Sequence, residues 1–310
     1  MRNEARTIDD NDTDTRGRSR PVTGLACMLV GIAAAVLGLL PWLVTGARLP
    51  IQDLWRGEPA AEAMPVALLP FSQYELTTII GLLVTGSAVA GLVGRNLRRR
   101  MPAQGLPLLL AGVLVVQLTA LVQTTLVVQA GLQDRQESAL YLLALDSVAV
   151  LSVLVGLLAF LLTAMAPRAG ALVGLAMGAL ALGPWLTAWV QLPDGVPPTT
   201  LVLLVGVAAR WVPPILVGLA IAWAGLETWR QAAAALAVVL LTWVVPPLIT
   251  AIQSAAGSRV LAGDRGEMLD QGVRVFISAL TLPAVAFLVP LTAAVVAAIA
   301  MVAQHFVSRS

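Results

Sequence analysis

Residues 199–253 read TTLVLLVGVAARWVPPILVGLAIAWAGLETWRQAAAALAVVLLTWVVPPLITAIQ: two apolar runs joined by the polar turn Glu227-Thr228-Trp229-Arg230-Gln231. Each run exceeds the ~20 residues that a helix needs to cross the hydrocarbon of a bilayer. Lipid offers no hydrogen-bond partners, so a spanning backbone must satisfy itself, as a helix or a closed barrel. Neither run alternates polar with apolar residues as a barrel strand does, so the stretch reads as a helical hairpin. Each arm carries a proline pair near its middle, Pro213-Pro214 in the first and Pro246-Pro247 in the second. A proline has no N–H and frees the carbonyl four residues before it, so both arms are expected to kink and to hold spare acceptors at one depth.

The rest of the chain follows the same rule. Of its 310 residues 58% are hydrophobic and 12% charged, against about 25% charged in soluble domains. The expected fold is all-α: a polytopic integral membrane bundle of about eight helices, spanning 22–45, 74–94, 106–130, 139–165, 169–190, 199–225, 232–253 and 272–302. Residues 21–307 form a single transmembrane domain in this reading. Residues 1–20 are polar, hold four aspartates and have little to bury, so they are expected to be a disordered tail. The last run is longer than one crossing requires and is divided by Pro283 and Pro290. With no polar turn inside it, it reads as one kinked helix.

All 19 basic residues are arginine, and they gather at run ends. Arg16, Arg18 and Arg20 precede the first span; Arg95, Arg98, Arg99 and Arg100 follow the second; Arg168, Arg230 and Arg309 share their side. Arg48, Arg56, Arg135, Arg259, Arg265 and Arg274 fall on the other. Arginine-rich short loops stay in the cytoplasm, which puts both termini there in this reading, and the expected location is a bacterial plasma membrane. The loop 46–73, charged and broken by prolines, is expected to lie outside as a connector, with Ile51, Leu54 and Trp55 touching the interface.

Two charges stand well inside spans, Asp146 and Arg210. A charge facing lipid costs a few kcal/mol on insertion scales, so both are expected to face the bundle interior or water. Depth along their helices is similar enough for an ion pair. Gln117, Thr242 and Ser278 are candidates for the same interior, and the many polar residues of the third span suggest that it is central. Kinks at Pro213, Pro214, Pro246, Pro247 and Pro283 resemble in physical terms the broken helices from which transporters build mid-membrane sites. In the fifth span Gly170, Gly174 and Gly178 recur every four residues, a face on which another backbone can approach closely.

One cysteine and one histidine exclude disulfides within the chain and Cys/His metal clusters. Cys27 reads as a small buried hydrophobe. No glycine-rich phosphate loop is present and His305 lacks catalytic company, so no cofactor or metal is expected and enzyme chemistry finds little support. These features favour a transport or permease-type protein, or the membrane subunit of a larger complex. Its expected partners are membrane lipid and membrane or cytoplasmic protein subunits, and the basic balance is no nucleic-acid signal. The alternatives are a non-transporting scaffold whose inner charges fix helix register, and a lipid-processing enzyme using outer acids such as Glu58, Glu62, Asp264 and Glu267.

Overall fold

A computed structural model describes residues 22–52, 54–57, 60, 63–190, 197–257, 265–282 and 287–307. They form an all-α protein with helices α1 (Gly24–Val44), α2 (Leu76–Leu97), α3 (Gly105–Gly131), α4 (Gln136–Met165), α5 (Arg168–Thr187), α6 (Thr200–Ala224), α7 (Trp229–Gly257), α8 (Arg265–Thr281) and α9 (Leu288–Val307). Every one of these but α8 is long and apolar enough to cross a membrane. The tail 1–20 and the proposed kink at Pro283 lie outside the described residues.

Local chemistry sets the helix ends. Thr23 and Thr199 accept hydrogen bonds from the backbone N–H three residues on, capping α1 and α6. Gly225, at φ +76°, turns the chain out of α6. The last carbonyls of α4 are met from another helix: the Arg95 guanidinium donates to the carbonyls of Thr163 and Ala166, each at 2.9 Å.

The most enclosed helix is α2, which packs on α4, α5 and α1. Glycines let these backbones meet. A Cβ at Gly38 of α1 would fall 2.5 Å from the Leu82 carbonyl oxygen of α2, and one at Gly31 would fall 2.0 Å from that of Leu109 in α3. On α5, Gly174 lies against Ala159 and Thr163 of α4, Gly178 against Ala88 of α2, and Gly170 against Ala166. Farther along, α5 packs on α6 and α6 on α9.

Three expectations need correction. The third span is peripheral: Val115, Leu118, Val122 and Leu126 of α3 are about half exposed on an apolar outer surface. Gln117 turns toward α2, Gln123 and Thr124 toward the 46–73 segment and Thr125 toward α4, while Thr119 and Gln129 are exposed, so polarity there does not mark a central position. The last run is not one kinked helix. Residues 265–281 form α8, which descends along α7, from Gly272 beside Ala255 to Leu280, whose carbonyl accepts from Trp243 Nε1. Trp243 is half-way along α7, so α8 ends at mid-depth, and α9 continues on α6, with Ala293 and Val296 against Gly218.

The third correction concerns the 46–73 segment, which is a folded cap and no simple connector. We call the face that carries it the outer face. Its residues Met64, Ala67, Leu69 and Phe71 are fully buried and Leu49 nearly so. Burying each of the large side chains contributes roughly 1.5–3 kcal/mol. Room for the cap comes from unequal helix lengths. The bond from Arg95 to Ala166 levels the inner ends of α2 and α4. From the backbone contact of Gly91 with Phe160, α2 has 15 more residues outward to Leu76 and α4 has 24 to Gln136, so α4 stands about 14 Å taller at 1.5 Å per residue. The cap fills the step above α1 and α2.

Non-helical backbone at this depth persists only where protein satisfies it, and the partners are found in full view. Gln123 of α3 accepts from Leu68 N at 2.9 Å and donates to the Val66 carbonyl at 3.0 Å, imitating a neighbouring strand. Thr124 accepts from Leu69 N at 2.9 Å, and Trp42 Nε1 donates to the Ala67 carbonyl at 2.8 Å. Buried Gln52 donates to the Phe71 carbonyl at 2.7 Å and accepts from the Tyr141 hydroxyl at 2.6 Å, tying the cap to α4.

Candidate functional site: an outer funnel floored by Asp146

Helix α3 packs mainly on α1 and only lightly on α4. The seam between α3 and α4 opens at the outer face into a cavity of about 480 Å³, walled by Arg56, Gln129, Gln133, Asp134, Arg135 and Ser138 and reaching Asp146. Three positions on α4 spaced by four, Ser138, Leu142 and Asp146, share one helix face and line its wall. The cap closes the other side. Arg56 N donates to the Gly131 carbonyl at 2.8 Å, Gln133 N to the Leu54 carbonyl at 2.8 Å, and Gln133 Nε2 to the Trp55 carbonyl at 3.0 Å. Gly131 is glycine because the Trp55 indole lies across it: a Cβ there would meet the ring at 1.9 Å. Trp55, expected at the membrane interface, is instead packed on the end of α3.

Asp146 lies ten residues below Gln136, about 15 Å down α4. It is half-buried, and its Oδ1 accepts from the Thr125 hydroxyl at 2.5 Å. Thr125 Oγ1 also lies 3.0 Å from the Leu121 carbonyl, which fixes its rotamer. Higher in the funnel, the Ser138 hydroxyl is buried, at 4% exposure, and has no hydrogen-bond partner. The cavity thus has a carboxylate at its floor, guanidinium, carboxylate and amide groups at its rim, and Leu132, Ala139, Leu142 and Leu143 between them.

The other residues singled out from sequence are not gathered here. Gln117 is buried between α3 and α2, donating to the Leu83 carbonyl at 2.8 Å and to Ser87 Oγ at 2.9 Å, while its own Oε1 has no partner. Thr242 is fully buried and donates to the Val239 carbonyl of its own helix at 2.7 Å. Ser278 is exposed on α8. Arg210, expected inside, is exposed on α6, its guanidinium 5.3 Å from the Trp211 ring centre. Along α6 the first buried residue is Pro213, and the contact of its outer half with Gly183 of α5 falls at Ala209, leaving the Arg210 side chain exposed. Asp146 therefore bonds Thr125 and not Arg210, and no mid-membrane cluster of Arg210, Asp146 and Gln117 forms among the described residues.

The proline pairs lie inside helices that continue through them. The Ala209 carbonyl, freed by Pro213, faces Gly183 of α5, where a Cβ would sit 3.2 Å away. That acceptor meets a packed helix. Of the outer acids, Glu58, Glu62 and Asp264 lie outside the described residues and Glu267 is exposed. Among the described residues no three His, Cys, Asp or Glu side chains are grouped to hold a metal ion. Cys27 is fully buried.

No protein-family model, curated protein or solved structure matches this chain. Its multi-pass membrane architecture is carried by the eight apolar helices themselves.

Proposed function

We propose that this protein is a permease-type membrane protein that admits a small polar or cationic solute through the outer funnel, with Asp146 as the first binding group at its foot. The observation that carries this reading is a half-buried carboxylate 15 Å or so below the helix end at the foot of a polar cavity. The carboxylate stands level with the outer end of α2, where a solute entering the cavity would meet it first. The light packing of α3 on α4 supports it, because a loosely joined seam is where two conformations can differ.

The rival reading is a scaffold whose inner polar groups only fix helix register. It draws support from Gln117 and Thr242, both engaged by helix backbone. One substitution separates the two. Purified protein is reconstituted in vesicles loaded with a pH-sensitive or sodium-sensitive dye and presented with amino acids, sugars and inorganic cations. In the permease reading Asp146→Asn inserts normally and loses the flux that the parent carries, and Leu142→Cys in a Cys27→Ala background is modified from the outer side by a membrane-impermeant thiol reagent. Flux unchanged in Asp146→Asn, or no solute moved by the parent, would remove this reading.

A further inference from the structure

A second pair of cavities lies on the opposite membrane face, away from the funnel. The first, of about 460 Å³, is walled by Leu92, Arg95, Asn96, Arg99, Leu175 and Trp223, where α2, α5 and α6 meet. The second, of about 220 Å³, continues from it, since Leu92 and Leu175 belong to both walls. Its remaining lining is almost wholly apolar and runs up α2 to Thr85 between Ala179 and Leu216. From Thr85 to Asn96 is 11 residues, about 16 Å along the helix, close to one leaflet of a ~30 Å hydrocarbon core. The groove is thus polar and basic at the membrane edge and greasy through one leaflet.

The charge at its mouth is concentrated and fixed. Arg95 is anchored by its two carbonyl bonds to α4 and stacks 5.0 Å from the centre of the Trp223 ring. Arg98 and Arg168 are close enough to act on Arg95 electrostatically, and Arg99 is exposed in the wall. Among the described residues none of these four arginines forms a salt bridge with a carboxylate. Like charges held together in this way call for an anion, and an apolar slot beginning among them calls for that anion to carry a hydrocarbon tail.

We infer that this groove is a binding site for an anionic phospholipid of the adjoining leaflet. Its phosphate group sits among Arg95, Asn96 and Arg99, with one acyl chain along Leu92, Leu175 and Ala220. Neutral lipid fits the slot but gains little from the arginines; free phosphate meets the arginines but leaves the slot unused.

The test uses the full-length protein in mild detergent, titrated with phosphatidylglycerol or with phosphatidylcholine of the same chains, bound lipid being counted by native mass spectrometry. Phosphatidylglycerol is expected to bind at least tenfold more tightly. Arg99→Gln should remove about fivefold of that preference, the attraction of one basic residue for an anionic leaflet. Ala220→Leu, which fills the slot, should weaken both lipids without changing their ratio. Brominated phosphatidylglycerol should quench tryptophan emission, with much of the quenching gone in Trp223→Phe. Equal binding of the two lipids, competition by inorganic phosphate at lipid concentrations, or quenching untouched in Trp223→Phe would each overturn the assignment.

Discussion

The outer cap hangs on side chains of α3, and Thr124→Val isolates one of those attachments. Both Thr124 and Leu69 are fully buried, and the Thr124 hydroxyl accepts from Leu69 N at 2.9 Å. Valine has nearly the same shape, so no cavity opens; what remains is a backbone N–H with no water in reach. Leaving such a donor unsatisfied costs about 1–3 kcal/mol. If that cost falls on the docked cap, the population of undocked cap rises roughly 5- to 150-fold. Gln123→Leu removes two bonds, but the one to Val66 is solvent-exposed and water replaces it, so the loss per bond is smaller, about 0.5–1.5 kcal/mol. A reporter is supplied by Ser72→Cys, nearly isosteric and 2% exposed at the root of the cap, in a Cys27→Ala background that has no other thiol. Its rate of modification by an impermeant maleimide added from the outer side reads cap opening directly. Thr125→Val is the control, because that hydroxyl bonds Asp146 and Leu121 and leaves the cap untouched. Equal rates in Thr124→Val and Thr125→Val would refute the idea that α3 side chains hold the cap down.

Two further outcomes follow from packing and from charge. Gly31→Ala and Gly112→Ala each drive a Cβ to within about 2 Å of a backbone carbonyl across the α1–α3 contact, whereas Gly206 has open space around it. The first two should lower the thermal midpoint in detergent by an amount matching 1–3 kcal/mol or more, and Gly206→Ala should leave it unchanged or raise it, helix propensity alone being worth up to about 1 kcal/mol; equal midpoints would contradict the close approach. Single cysteines at Arg99 and Asp134 should be modified from opposite sides of the membrane, Arg99 from the cytoplasm, and access to both from one side would overturn the threading.

Most helix limits were legible from hydropathy, because the need to bury backbone polarity in lipid leaves few choices: α3, predicted over 106–130, spans Gly105–Gly131. The break between α8 and α9 was less so. Residues 265–281 carry Glu267, Asp270 and Arg274 beside apolar residues, a pattern fitting a helix that starts outside and ends at mid-depth, and the apolar continuation masked where it stopped. The cap escaped for a different reason. Its charges and prolines forbid a span, and a segment that cannot span reads as solvent-exposed unless something else covers it. The overlooked signal is Met64-Pro65-Val66-Ala67-Leu68-Leu69-Pro70-Phe71, eight residues without a charge or a polar side chain. Prolines keep such a run from being helical, and its apolarity keeps it from being a water-exposed loop. Only burial as extended backbone satisfies both, and that in turn demands donors and acceptors from elsewhere. Gln123 and Thr124, adjacent in a helix otherwise dominated by Leu and Val, are those groups.

The same logic explains why Asp146 and Arg210 diverged. Sequence gives the depth of a charge, since helix rise is constant, but it does not give the neighbour. Asp146 enters a helix that runs about 14 Å past α2 and is therefore flanked by cap, α3 and solvent at its outer end. Arg210 enters a helix whose enclosed part begins three residues later, at Pro213. Equal distances from the helix ends thus lead to a lined cavity in one case and to an exposed side chain beside Trp211 in the other. What selects between them is the height of the surrounding helices, a property set by the lengths of several spans together and by the cap that fills the step they leave. The funnel is in this sense a consequence of the cap: without Trp55 across Gly131 and the backbone bonds from Arg56 and Gln133, the seam between α3 and α4 would have no second wall, and the carboxylate at its foot would face water or lipid.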